Sequence, residues 1–363
     1  MSVTPSASLR CLVALAVILS LAAPVRAQSN EEILTAYRVY KEGLYLADEG
    51  RFREALGPAE RALVLYEKLY GPDHCEMIEV LLLVGNMRRE TGDLKGSIEA
   101  IRRCLVICER EYGEINMTTS SALNNLAIAY RLLGEYGKTI PLYERAIAIR
   151  ERVFDSESEL VAESMRNLGI VYAITGDYAL AEPLLVRSAA VTERVFGAND
   201  THTGIAVGTL ASLYANMGRR LEAERLYRRA TEIHERVYGV DHRITLISLA
   251  NFANHFLYTG AYDQAEALFL KALAGRERAL GPDHPDVANS LGSLASVYLM
   301  KGETARARPL LERALAISER AAGADSDGVA AALSRLADLD MAERNVDRAN
   351  ALYARALEIY ERR

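Results

Sequence analysis

"GPDHPDV" occupies residues 281–287, "GPDHCEM" residues 71–77 and "GVDHRIT" residues 239–245. The spacing decides how the recurrence is read. From Gly239 to Gly281 is 42 residues, and from Gly71 to Gly239 is four times 42. The same ruler gives repeats starting at Ser29, Gly71, Gly113, Asp155, Gly197, Gly239, Gly281 and Gly323, with no insertion or deletion. The last repeat, at Arg363, is one residue short. Self-similarity at such a period marks a stacked array, not a compact fold.

The columns of the array carry the physics. The fifteenth position reads Gly43, Gly85, Ala127, Gly169, Ala211, Ala253, Ala295, Ala337. The twenty-seventh (Ala55, Ser97, Thr139, then Ala in every later repeat) and the thirty-fourth (Ala62, Cys104, Ala146, Ser188, then Ala) are also small throughout. Within a repeat the apolar period is helical: Leu291, Leu294, Ala295 and Tyr298 fall at i, i+3, i+4, i+7. After Gly302 the pattern restarts with Ala307, Leu310, Leu311 and Ala314. Gly302 stands where a helix end needs a left-handed residue. Pro285 suits a first helical turn, with Asp283 or His284 as its cap. Each repeat therefore reads as two antiparallel helices, brought close by small residues at fixed points.

These columns resemble the tetratricopeptide repeat. Its Leu, Gly/Ala, Tyr, Ala, aromatic, Ala pattern is met by Leu210, Ala211, Tyr214, Ala223, Tyr227 and Ala230. The 42-residue length, the Gly-x-Asp-His-Pro-Asp start and Asn-Asn-Leu-Ala at 124–127 are similar to the kinesin-light-chain type of repeat. The resemblance covers residues 29–363. It implies an all-α fold, a right-handed α-solenoid of about eight helix-turn-helix repeats, acting as a non-catalytic scaffold.

The first 27 residues stand apart from the array. Arg10, an apolar run from Cys11 to Ala23, and Val25-x-Ala27 form the layout of a secretory signal peptide cleaved after Ala27. The run is short for a membrane span, which needs about 20 residues; the alternative is an uncleaved anchor in the inner membrane. The expected domains are thus 1–27 as signal and 28–363 as one repeat domain, exported to a bacterial periplasm, with no membrane span once the leader is removed. Cleavage moves the net charge from −6 to −8 by removing two arginines. A mildly acidic chain does not suit nucleic-acid binding. Three cysteines remain, Cys75, Cys104 and Cys108. An odd number leaves one unpaired, and the small-residue column already accounts for Cys104.

The histidines form no expected metal site. His74, His242 and His284 share one slot in different repeats, two helices apart, whereas metal–nitrogen bonds are about 2 Å. A loop that caps the following helix explains them. "GEYGKT" at 134–139 lacks the first glycine of a phosphate loop, since residue 132 is Leu132. Abundant Glu and Arg, as in "LLERALAISER" at 310–320, are expected on solvated faces as i, i+3 and i, i+4 pairs. No catalytic constellation and no cofactor are expected.

Binding is expected along the concave groove that stacked helix pairs form. In the resembled family the first helix of each repeat lines it. In the seventh repeat Asn289, Gly292, Ser293, Ser296, Leu299 and Met300 then point there. One such column reads Lys41, Leu83, Asn125, Asn167, Thr209, Asn251, Ser293, Arg335. Asparagine offers donors and an acceptor, so this ladder suits the backbone of an extended peptide. The resemblance supports Asn125, Asn167 and Asn251 in that role. Asn124, Arg166 and Asn254 face the same way by helical spacing, and Arg166 suits a carboxylate. The competing reading is that these asparagines satisfy neighbouring repeats. The expected partner is a protein or peptide segment. Alternatives are a membrane-tethered envelope assembly factor, for secretion or polymer export, and an accessory protein for glycan or small-molecule ligands. Glu42 suits a solvated cap at one end of the array. At the other, Tyr353 and Tyr360 are candidates for end-to-end homodimerisation.

Overall fold

The computed structural model describes residues 30–154 and 157–362. The signal-peptide reading, its cleavage point and the repeat start at Asp155 lie outside the described residues. Among these there are sixteen α-helices and no strand. They are α1 (Asn30–Asp48), α2 (Phe52–Tyr70), α3 (Met77–Thr91), α4 (Leu94–Tyr112), α5 (Met117–Leu132), α6 (Tyr136–Val153), α7 (Glu159–Thr175) and α8 (Tyr178–Phe196). There follow α9 (Thr201–Asn216), α10 (Arg220–Tyr238), α11 (Arg243–Tyr258), α12 (Tyr262–Leu280), α13 (Pro285–Met300), α14 (Thr304–Ala322), α15 (Asp327–Ala342) and α16 (Val346–Glu361). The chain forms two compact units, one ending at Glu135 and one beginning at Tyr136.

In each unit a helix packs on its neighbours in the chain and, more lightly, on the helix two places along, as α13 does on α15. Contacts are thus confined to adjacent repeats, the arrangement of a tetratricopeptide-like solenoid.

The opening motif explains itself residue by residue. Gly281 closes α12 with φ 86° and ψ 158°, a region essentially open only to glycine. The Pro282 carbonyl accepts from Arg313 Nη2 at 3.0 Å. Asp283 receives Arg320 Nη2 at 2.8 Å. His284 caps α13 by accepting from the Asp286 N–H at 3.1 Å, and Pro285 sits in the first turn. Val287 enters the core. His242 does the same for its helix, its Nδ1 accepting from the Ile244 N–H at 3.3 Å, whereas His74 Nδ1 accepts from the Glu76 N–H at 3.3 Å in the turn that precedes α3. His242 and His284 are caps, and His74 braces a turn. Among the described residues no group of three or more His, Cys, Asp or Glu could hold a metal ion.

The small columns are buried in every repeat. A Cβ on Gly85 would lie 2.4 Å from Ile101, and one on Gly169 2.7 Å from Leu185. The two helices of a repeat therefore touch where the sequence leaves room. Larger groups fill the spaces between repeats, with Tyr143 and Phe269 fully buried. Burying a side chain such as Phe269 contributes about 1.5–3 kcal/mol. Cys104 and Cys108 are buried and unbridged, their sulfurs 3.8 Å apart.

The charged residues depart from expectation. Some i, i+3 and i, i+4 pairs exist, such as Arg219–Glu222 and Arg228–Glu224. The systematic pairs, however, join residues 36 apart on successive second helices: Arg103–Glu67 (2.5 Å), Arg187–Glu151 (2.9 Å), Arg229–Glu193 (2.7 Å), Lys271–Glu235, Arg313–Glu277 (2.7 Å) and Arg355–Glu319 (3.1 Å). A second set joins the last turn of a repeat to its own opening loop, as in Arg278–Asp241 (2.6 Å) and Arg320–Asp283 (2.8 Å). One rail stitches repeat to repeat, and the other closes each hairpin.

Candidate functional site

The first helices of the repeats carry the predicted site, and their thirteenth column lies on the seam between successive first helices. In the N-terminal unit this seam is filled. Leu83 on α3 is only 6 % exposed and packs on α1, where a Cβ on Gly43 would meet its Cδ2 at 3.3 Å. Asn125 on α5 is half-buried. Its Nδ2 donates to the Ser121 carbonyl at 3.0 Å, and its Oδ1 accepts from Arg89 Nη1 at 3.3 Å. Arg89 also donates to Asn86 Oδ1 at 3.0 Å. Asn125 thus has partners inside its own unit. Asn124 is buried, 4 % exposed. Helical spacing alone turned it to the open face, but a side chain at that angle is covered.

The C-terminal unit holds the other four predicted residues. Arg166 and Asn167 on α7 are half-buried. Burial lowers the pKa of the Arg166 guanidinium, opposed by the negative charge of Glu163. Glu163 in turn meets Arg150 Nη1 at 3.4 Å. Further along, Gly292 is buried rather than open to the groove. A Cβ there would lie 2.4 Å from Arg335 Nη1, because that guanidinium lies across it.

Asn251 and Asn254 on α11 come together in one place. They line a cavity of about 400 Å³ built by α9, α10 and α11 with Ser212, Asn216, Arg220 and Tyr258. Tyr258 is 84 % exposed. No hydrogen bond engages the side chains of Asn216, Asn251 or Asn254 among the described residues. His255 and Tyr227 also line the cavity and are both buried. Their rings lie 5.5 Å apart, and the Tyr227 hydroxyl donates to Ser212 Oγ at 2.9 Å. Burial lowers the His255 pKa, opposed by the charge of Glu224 and by the Arg220 backbone. The cavity therefore offers uncommitted amides, one cation and an open aromatic plane around a neutral floor. Such groups recognise by hydrogen bonding and stacking.

Of the predicted residues, the structure gathers Asn251 and Asn254 at this cavity. It places Asn124 and Asn125 in the other compact unit, and Arg166 and Asn167 outside the cavity lining. Arg220, Asn216 and His255 were not predicted. Arg220 had a readable signal: its column holds Phe52, Leu94, Tyr136, Tyr178, Tyr262, Thr304 and Val346 and no other charge.

The Tetratricopeptide repeat family matches residues 76–152, 118–194, 203–278, 249–320 and 301–362, and a second Tetratricopeptide repeat family matches residues 43–74. No curated protein matches the chain at a significant level. Among solved structures, a kinesin light chain with nearly identical TPR-like repeats from P. anserina is 23% identical, over 57% of this chain and 98% of that one, with a TM-score of 0.51. The quorum sensor NprR from B. thuringiensis is 13% identical over 97% of this chain and 92% of its own, with a TM-score of 0.64. The Rap conjugation gene regulator of plasmid pLS20, solved with the Phr* peptide, is 16% identical over 84% and 78%, with a TM-score of 0.55. These likenesses are of fold.

Proposed function

This chain belongs to the tetratricopeptide repeat family, and we propose that it is a non-catalytic scaffold that binds an extended peptide or protein segment on its first helices. One observation carries the reading: Asn251 and Asn254 line an open cavity with their amides unengaged. Asn251 is exposed and Asn254 half-buried, so their amide donors and acceptors are accessible to an incoming backbone. That a similarly folded regulator was solved with a peptide supports the class of ligand. The test is a peptide-array screen with the full chain, followed by titration of the binders. Asn251→Ala with Asn254→Ala is expected to weaken binding about tenfold or more with helicity unchanged. Undiminished binding places the site elsewhere.

We further propose export through residues 1–27, on the layout of Arg10, the apolar run and Ala27. Among the described residues no helix is long and apolar enough to cross a membrane. Native protein whose first residue is Gln28 supports export to the periplasm; native protein retaining the leader overturns cleavage.

End-to-end homodimerisation through α16 rests on Tyr353, Leu357 and Tyr360, which are 37%, 56% and 50% exposed. The matching residues of the fifth repeat, Tyr227, Thr231 and His234, are buried. Sedimentation showing only monomer over a wide concentration range removes this element.

A further inference from the structure

We propose that the cavity of α9, α10 and α11 selects a peptide segment bearing an acidic side chain, with Arg220 as the residue that reads it. This deepens the scaffold reading and rests on it.

The repeat is its own control. A column shows what the fold needs at a position, so a residue that breaks its column is not there for packing alone. Three such departures converge on this cavity. Arg220 stands in a column otherwise free of charge. His255 stands where the other repeats have Tyr45, Met87, Ala129, Val171, Leu213, Val297 and Leu339. Tyr258 stands at a position that is elsewhere aliphatic or small polar or acidic, and it is open to solvent.

The electrostatics single out Arg220. Its neighbour Arg219 is fully engaged: Nη1 meets Glu182 at 2.5 Å, and Nε meets Glu222 Oε2 at 2.6 Å. Glu224, the acid nearest His255 by its effect, is held by Arg228 at 2.6 Å. Glu182, Glu222 and Glu224 are therefore held by other arginines. Arg220 lines the cavity and is exposed, and among the described residues no ion pair engages its guanidinium. A guanidinium presents a planar fork that fits a carboxylate with two parallel bonds. Asn216, Asn251 and Asn254 around it supply both donors and acceptors, the complement of a peptide backbone.

A side-chain carboxylate fits better than a chain terminus. Asn251 and Asn254 lie one helical turn apart along α11, so a bound backbone passes through the cavity and need not end there.

The experiment compares three pools of 12-residue peptides by anisotropy titration with the full chain. All have randomised uncharged flanks. One is amidated with a central Glu, one amidated with a central Gln, and one has a central Gln and a free C-terminal carboxylate. The Glu pool is expected to bind about ten- to hundredfold more tightly than the amidated Gln pool, the range of a charge-assisted hydrogen bond. Arg220→Gln is expected to abolish that difference, the ratio between the two amidated pools being the readout. Arg225→Gln, on the same helix outside the cavity, is expected to change neither. Equal binding of the two amidated pools, or preference for the free-carboxylate pool, overturns the inference. If the Gln pool binds and loses binding on Asn251→Ala with Asn254→Ala, yet shows no acidic preference, the scaffold reading stands and this one falls. If no pool binds, both fall.

Discussion

The imidazole of His234 occupies the space that a side chain on Gly204 would need: a Cβ there would lie 2.4 Å from His234 Nε2. The ring is fixed, with Nδ1 2.6 Å from Ser248 Oγ and Nε2 3.4 Å from the Thr201 carbonyl. Gly204→Ala is therefore expected to destabilise the fold by about 1–3 kcal/mol, the usual cost of overpacking a core. Gly208→Ala is the comparison. Its nearest neighbour would be Ala230 Cβ at an ordinary 3.6 Å, so denaturant titration is expected to show little loss and some gain from the helix preference for alanine.

His234 and His255 together predict how stability responds to acid. Burial holds both below the ordinary value of 6.5. The unfolded chain therefore takes up protons at these sites at higher pH than the folded chain does. Their contribution is fully present above pH 6.5, falls as pH drops through that value, and levels off below the folded pKa. Thermal melts from about pH 8 to about pH 5 are expected to show this decline, and His234→Asn to flatten it. A flat profile in the unmodified chain removes the claim.

Arg344 sits at the one inter-helix turn in its column where glycine is missing, and it adopts φ 63° regardless. Gly302 holds the same place one repeat earlier with φ 75°. The left-handed conformation costs a side chain about 1–2 kcal/mol, while glycine in the unfolded chain offsets about 0.4–1 kcal/mol of any relief. Arg344→Gly is expected to stabilise by up to about 1 kcal/mol, and Gly302→Arg to destabilise by a similar amount. Urea midpoints of the two variants, moving in opposite directions, are the check.

The stitching of Arg313 to Glu277 is expected to be weak energetically. Both side chains are about a third exposed (39% and 32%), and surface pairs couple by about 0.2–1 kcal/mol. A double-mutant cycle on the two is expected to fall in that range and to shrink in high salt. A coupling well above it would mean that the rail supports the stack, when its geometry indicates that it sets register between repeats.

The repeat boundaries, the capping role of His284 and the close approach at Gly85 were all readable, because each follows from local chemistry recurring at one spacing. The rail was not read. Glu277 and Arg313 were weighed against partners three or four residues away, whereas their true partners lie one repeat off. The signal was present, since all eight repeats carry Glu at the thirty-ninth position and Lys or Arg at the thirty-third. The lining of the candidate cavity was legible in part. The repeat column pointed to Asn251 and helical spacing to Asn254, but spacing also chose the buried Asn124, since periodicity fixes a direction around one helix and not what the adjoining helices cover. Arg220 was missed because it opens a second helix, and only first helices were searched for binding groups.

The left-handed glycines Gly239 and Gly281, which open two successive repeats, make the repeat between them a removable module. Excising 239–280 would join Tyr238 to Gly281, a junction chemically the same as the original. Glu235 would then find Arg313 where it had Lys271, and Thr231 would face α13 in place of α11. Such a shortened chain should still fold, yet it would have lost Asn251, Asn254, His255 and Tyr258 together. Length in this protein can thus change by whole modules, while the recognition proposed for it belongs to the few that break the pattern.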